Sequence, residues 1–305
     1  MEKAETVPRA NYARSDSHVN DGQCFVSNWI LGNEINSKNV YQYSGGMSTQ
    51  QFFDSYAQTF RTFYSGIKSV NGGAHVYICL DHCWNSADYG YSSKYSMDQT
   101  AMRLQEYDPT CEWDVAFHPY ANPLTTTDFW NNSGVWQGSG TSYINMYNLN
   151  VLTDYIQANY PLRDEKGNDT GAERFVILSE QGYSSNNGYR LQASALAYSY
   201  YIASYNPMVK AFEIRSYQDD ANDGILCLGI AGKEAYNAYK YVDDSSDTAK
   251  TYMKNMHYWT DVRGGAAGWQ DLRIPGYDGS ESEVNRYIYK DDMVYHNDVY
   301  EAKVP

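Results

Sequence analysis

The sequence predicts an α/β fold built on a parallel sheet, and three observations support this class. Apolar runs of strand length alternate with amphipathic helical segments along the chain. The runs are continuous, as is typical of parallel strands that helices cover on both faces. The strand–helix–strand spacing recurs, which indicates consecutive βαβ units. With right-handed crossovers, five such strands are expected side by side in chain order.

The first half of the chain shows this alternation twice. The run CFVSNWILGN at 24–33 has strand length, and a helical segment at 48–69 follows it. Phenylalanines and a tyrosine recur at helical spacing in that segment, and Ser48 is a suitable N-cap. The run HVYICLDH at 75–82 predicts the second strand, which a helix at 96–107 follows.

The second half continues the pattern with larger connections. Strands are predicted where bulky apolar residues cluster, at 113–120, 175–182 and 209–217. Helices are predicted at 143–159 and 190–205, and a further helix begins near Lys233. A loop rich in Asn, Gly, Ser and Thr separates the third strand from its helix. The tail, from about 246, is expected to hold one more helix and a terminal hairpin.

Composition excludes several partners. The net charge of −14 repels nucleic acid and anionic membrane surfaces, so neither is expected as a partner. No stretch approaches the roughly 20 apolar residues of a membrane span. The five cysteines are too sparse and odd in number for a disulfide framework. The polar first segment has no apolar signal-peptide core, yet the Asn, Ser, Tyr and Gly content favours a secreted, periplasmic or cell-surface enzyme.

Polar and ionisable residues follow each apolar run, at the point where the predicted strand ends. In a parallel barrel these ends meet on one rim, where catalysis takes place. The rim is therefore expected to carry Asn33, Glu34, Asp81, His82, His118, Tyr120, Glu180, Arg215 and Tyr217.

Four motifs in this order resemble the clan A retaining glycoside hydrolases, a (β/α)8 group. The Gly-Asn-Glu run at 32–34 resembles the Asn-Glu pair on their fourth strand. The His-Pro-Tyr run at 118–120 is similar to the His-x-Tyr of the sixth strand in cellulase-like members. Ser-Glu-Gln-Gly at 179–182 resembles the nucleophile strand, the seventh, and 229–236 resembles the stretch after the eighth. The resemblance covers about 20–245 and implies a TIM-barrel fold.

The resemblance also implies roles for these residues. Glu34 would act as general acid and then as base, and Glu180 would be the ionised nucleophile. Asn33 would hydrogen-bond the sugar 2-hydroxyl, Tyr120 would donate to Glu180, and His118 would line the subsite. The two carboxyl groups are expected about 5 Å apart in a common pocket, the separation for retention of configuration.

Other rim residues have open interpretations. Asp81 and His82 are equally compatible with a sugar contact and with support of a residue that makes one. A metal-dependent hydrolase using His82, His118 and Asp81 is a third hypothesis, but no ligand spacing favours it. Cys79 and Cys83 could form half of a metal site, although buried thiols are the favoured interpretation. No metal and no cofactor is therefore expected.

Arg215 and several aromatic residues are further candidates for substrate binding. Arg215 could bind substrate, but pairing with Glu213 or Asp219 is favoured. Tyr217 follows the same strand as Arg215. Tryptophans after strand ends or in loops could stack on a sugar, and packing under a loop is as good an interpretation for Trp84, Trp130 and Trp136.

The chain departs from the family in one respect. The Asn-Glu strand should be the fourth of eight, but here it is the first recognisable strand. The expected organisation is a polar leader at 1–20, barrel strands four to eight within 21–262, and an extension at 263–305. An N-terminally truncated enzyme is favoured. A second chain completing the barrel, or a reduced family member with an open sheet, are the alternatives.

The expected function is a retaining glycosidase acting on a poly- or oligosaccharide. The alternative is a non-catalytic carbohydrate-binding or scaffold protein derived from the same fold. The presence of both Glu34 and Glu180 favours the enzyme, because decay of an active site usually removes one of the pair.

Overall fold

A computed structural model describes residues 26–244 apart from Tyr43, together with Ser246, Thr248, Ala249 and Tyr252. The predicted leader at 1–20, the predicted terminal hairpin and the extension at 263–305 lie outside the described residues. So do the first two positions of the predicted first strand and most of the predicted tail helix.

The described residues form an α/β fold with a five-stranded parallel sheet. The strand order β1-β2-β3-β4-β5 confirms the prediction that the strands lie side by side in chain order. This arrangement is compatible with a partial β/α barrel. In chain order the elements are β1 Asn28–Leu31, α1 Thr49–Val70, β2 His75–Leu80, α2 Ser93–Tyr107, β3 Trp113–Phe117, α3 Asn150–Asn159, β4 Val176–Gln181, α4 Tyr189–Tyr205, β5 Val209–Ile214 and α5 Glu234–Tyr241.

Several predicted boundaries differ from the structure, and one of them has a clear local cause. The helix predicted from 143 begins at Asn150, because Met146–Asn148 forms a separate 3-10 turn. Asn145 caps that turn by accepting a hydrogen bond from the amide of Tyr147. The strand predicted to reach 217 ends at Ile214, and Arg215 donates its amide to Gln181 O at 2.8 Å.

The described residues divide into two compact units. The first contains the residues up to His118 together with Leu152–Leu178. The second contains Pro119–Val151 and the residues from Ser179 onward.

The first unit contains β1, β2, β3 and the beginning of β4. Its strands are in parallel register, with Leu31 opposite Ile78 and Leu80 opposite Phe117. As predicted, Ser48 caps α1, and its hydroxyl accepts a hydrogen bond from the amide of Gln51. The core is strongly aromatic, and its largest fully buried side chains include Phe53, Phe60, Tyr77, Trp84, Trp113 and Phe117.

The second unit contains the end of β4, β5, α4 and α5. Its long loop packs by aromatic contacts, with the Phe129 ring stacked on Tyr198 at 5.5 Å. Asparagine side chains replace regular hydrogen bonding within this loop. Asn132 Oδ1, for example, accepts from the amide of Asn122 at 2.9 Å. Across the described residues, no helix has the length and apolar character needed to span a membrane.

Candidate functional site

Glu34 lies in the first unit, in a tight turn just beyond β1. Its backbone is left-handed, with φ of 44°, a conformation that costs energy for a residue with a side chain. Ile35 fixes the turn by donating its amide to Cys79 O at 2.9 Å. The turn folds the Glu34 side chain inward, where only 9% of the residue is exposed. A backbone held against its preference next to a buried carboxyl group is typical of functional sites.

His118 is an ionisable partner of Glu34. Its Nδ1 lies 2.8 Å from Glu34 Oε1, and both side chains are almost entirely buried. The other ring nitrogen, Nε2, lies 3.4 Å from Cys79 Sγ. In the structure the His118 ring contacts the Glu34 carboxyl group, and the subsite role that the resemblance implied stays a prediction.

Asp81 follows β2 directly and supports the turn beside Glu34. The Ser37 hydroxyl donates to Asp81 Oδ2 at 2.7 Å and lies 3.3 Å from Glu34 Oε2. The Cys83 amide donates to Asp81 Oδ1 at 2.7 Å, and the Ser93 hydroxyl donates to it at 3.1 Å. Because three donors already occupy this buried carboxylate, the supporting role of Asp81 is favoured over a sugar contact.

His82 and Cys83 are buried beside Asp81. Ligand atoms of these three residues lie within 4.8 Å of one another, so they could hold a metal ion. The metal hypothesis from the sequence named His118 in place of Cys83. Burial lowers the pKa of His82, although Asp81 and Glu34 act to raise it. Burial also raises the pKa of the Cys83 thiol, with Asp81 adding to the effect, so this cysteine is a poor nucleophile.

Of the two interpretations of Trp84, its burial favours packing over stacking on a sugar. It has no exposed surface and packs edge-on against Tyr155, with ring centroids 5.2 Å apart. Trp130 is also buried, whereas Trp136 is 46% exposed. The packing interpretation therefore applies to the first two of these tryptophans. Asn33 is half-buried, and its backbone carbonyl accepts a hydrogen bond from Gln42 Nε2 at 2.7 Å.

Glu180 lies in the second unit, near the end of β4. The Tyr120 hydroxyl donates to Glu180 Oε1 at 3.0 Å, the contact that the resemblance implied. Arg215 Nε donates to the same oxygen at 3.2 Å. Among the described residues, no hydrogen bond reaches Oε2. Both donors therefore hold one oxygen and leave the other available for chemistry.

The predicted partners of Arg215 are wrong. Its guanidinium pairs with Asp223 and Glu180 instead of Glu213 or Asp219. Asp219 instead forms an ion pair with Lys233, whose Nζ lies 2.7 Å from Asp219 Oδ2. The path of the loop after β5 decides which acidic group lies beside Arg215 and which lies beside Lys233. The spacing of residues in the sequence does not reveal that path.

The loop after β5 is held tightly around Lys233. Lys233 Nζ donates to the Ser185 hydroxyl at 2.9 Å and to Asp219 Oδ1 at 2.8 Å. Gly229 donates its amide to the same Asp219 oxygen at 2.8 Å. Tyr217 lies on this loop and is 61% exposed, with its ring edge against Tyr236. The exposure leaves Tyr217 accessible to a ligand, as its assignment to substrate binding requires.

Replacing Gly229 with alanine is expected to destabilise the protein. The added Cβ would lie 2.2 Å from Asp219 N and 2.3 Å from Gln218 C, and both are backbone atoms that move only with the loop. We expect a loss of about 1–3 kcal/mol in the free energy of unfolding, measured by urea denaturation. Gly140→Ala is the matched control, because nothing lies within 4 Å of its Cβ position. Equal effects of the two substitutions would contradict the prediction.

Sequence reasoning missed Asp223 and Ser37. Asp223 is one of several acidic residues in a polar stretch, and Ser37 is one of many serines, so neither carries a distinguishing sequence signal. The structure singles them out because Asp223 contacts Arg215 and Ser37 contacts Glu34.

The chain matches the model of a known family over most of its length. The model of a family of unknown function, DUF5722, matches residues 11–263. No curated protein matches the chain.

Proposed function

Because the chain belongs to DUF5722, its activity must be inferred from its own residues, and we propose that it is a retaining glycoside hydrolase. Glu180 is the nucleophile and Glu34 is the general acid and then the base. The substrate is a poly- or oligosaccharide.

The arrangement around Glu180 is the observation that carries this proposal. Tyr120 and Arg215 both donate to Oε1. Hydrogen bonds from a phenol and a guanidinium suit a carboxylate anion. Oε2 then makes the bond to the sugar. A carboxylate that is hydrogen-bonded through one oxygen can use the other oxygen to form the covalent glycosyl-enzyme intermediate.

Glu34 supplies the proton transfers. Burial and the His118 contact hold its carboxyl group in one orientation. In the first step, Glu180 Oε2 bonds to the anomeric carbon as the bond to the leaving oxygen breaks, and Glu34 gives that oxygen its proton. In the second step, Glu34 takes a proton from water, the water oxygen bonds to the anomeric carbon, and Glu180 is released.

The same proposal assigns β1–β5 to strands four to eight of a (β/α)8 barrel. It also places the protein outside the cytoplasm, as a secreted, periplasmic or cell-surface enzyme. The proposal includes no nucleic-acid or membrane partner, because the net charge of −14 repels nucleic acid and anionic membrane surfaces.

A covalent label tests the proposal. Wild-type protein is incubated with 2-deoxy-2-fluoro glycosides carrying a dinitrophenolate leaving group, in a panel of sugar configurations. We expect one sugar to be trapped as an ester on Glu180, located by peptide mass spectrometry. Labelling of a different carboxylate would reject Glu180 as the nucleophile. Binding of polysaccharide without labelling or hydrolysis would favour a non-catalytic carbohydrate-binding protein.

A further inference from the structure

Arg215 lies between two carboxylates of the second unit. Its Nε donates to Glu180 Oε1 at 3.2 Å. Its terminal nitrogens donate to both oxygens of Asp223, and the Nη2 contact with Oδ1 measures 2.9 Å. We propose that Asp223 is a positioning residue, which holds the Arg215 guanidinium so that only Nε reaches Glu180. This inference rests on the proposed role of Glu180 as nucleophile.

The geometry explains why a second carboxylate is needed. A guanidinium prefers to bind a carboxylate through two parallel hydrogen bonds. Without Asp223, the terminal nitrogens of Arg215 are free to rotate onto Glu180 and make that two-bond contact. The guanidinium would then cover Oε2, the oxygen that attacks the sugar. Asp223 occupies the terminal nitrogens and leaves Glu180 a single bond at Oε1.

Asp223 is itself fixed by local structure. It ends the 3-10 turn Ala221–Asp223, and its amide donates to Asp220 O at 3.0 Å. Its side chain is 16% exposed, and that of Arg215 is 31% exposed. Hydrogen bonding to Asp223 raises the pKa of Arg215, so the guanidinium stays charged. The pair is therefore an oriented contact that competes with Glu180 for one cation.

The test compares how fast Glu180 is trapped in different variants. The probe is the dinitrophenyl 2-deoxy-2-fluoro glycoside that labels the wild type. Asp223→Asn is expected to slow labelling roughly ten- to a hundred-fold, within the loss that a displacement of about 1 Å can cause. For the matching non-fluorinated substrate, kcat falls and KM is unchanged. Asp223→Glu, which keeps both oxygens, restores part of the rate.

The control is Asp244→Asn, since Asp244 has no contact with Arg215 or Glu180 among the described residues. It is expected to label at the wild-type rate. Thermal unfolding midpoints show that each variant is folded. If wild type is labelled and folded Asp223→Asn is labelled equally fast, the positioning role is overturned while the glycosidase remains. A rise in KM with unchanged kcat also overturns it. If wild type is never labelled and hydrolyses no substrate, the proposed function itself fails.

Discussion

Glu180→Gln is expected to abolish glycoside hydrolysis almost completely. The substitution keeps the shape of the side chain and its contacts with Tyr120 and Arg215, but an amide cannot form the glycosyl ester. Removing a covalent nucleophile costs on the order of 10⁴-fold or more in kcat. The measurement is the initial rate of phenol release from an aryl glycoside, together with the loss of the fluoro-sugar label.

A matched glutamate in an exposed hairpin serves as the control for this variant. Glu165→Gln removes the same charge from the protein at an exposed position, and full activity is expected. If Glu180→Gln and Glu165→Gln release phenol at the same rate, Glu180 is not the nucleophile and the proposed mechanism is wrong.

Glu34→Ala is expected to produce a loss that depends on the leaving group. A general acid contributes about 10²–10⁴-fold when the departing oxygen needs a proton. With an unactivated alkyl or sugar leaving group, this full loss is expected. A dinitrophenolate leaves without a proton, so the first step is expected to proceed at nearly the wild-type rate. The glycosyl ester then accumulates, because no base activates water.

Azide separates this role from simple damage to the site. As a small anion it needs no base, and it is expected to restore turnover of Glu34→Ala by yielding a glycosyl azide of retained configuration. Ser37→Ala is the structural control, because it removes the hydroxyl shared by Glu34 and Asp81 without removing the carboxyl group. If Glu34→Ala loses activity equally on the activated and the unactivated glycoside, and azide does not restore turnover, the acid–base assignment is refuted.

Local sequence was sufficient to predict most of the fold. Apolar runs and helical periodicity located five strands and the helices between them, and the chain-order sheet followed from short parallel connections. The predicted ends of helices were less accurate where a side chain caps the backbone, as Asn145 caps the 3-10 turn before α3. The separation of the Glu34 and Glu180 carboxyl groups stays a prediction.

The chemistry of individual side chains was only partly predictable. The motif carrying Tyr120 led correctly to its hydrogen bond with Glu180. Trp84 follows a strand end just as a rim residue would, yet its ring turns into the core and packs against Tyr155. Arg215 has acidic neighbours on both sides in sequence, and it pairs with Asp223, eight positions along the chain.

By itself the sequence determined which segments are strands and helices, their order in the sheet, and the two glutamates that follow apolar strands. These depend on periodicity and on short-range chain connection, which are properties of neighbouring residues. Only the tertiary structure decided the partner of each ionisable group. His118 contacts Glu34 across 84 positions, and Tyr120 contacts Glu180 across 60. Hydrogen bonds require approach within about 3 Å, and the folded path of the chain sets that distance.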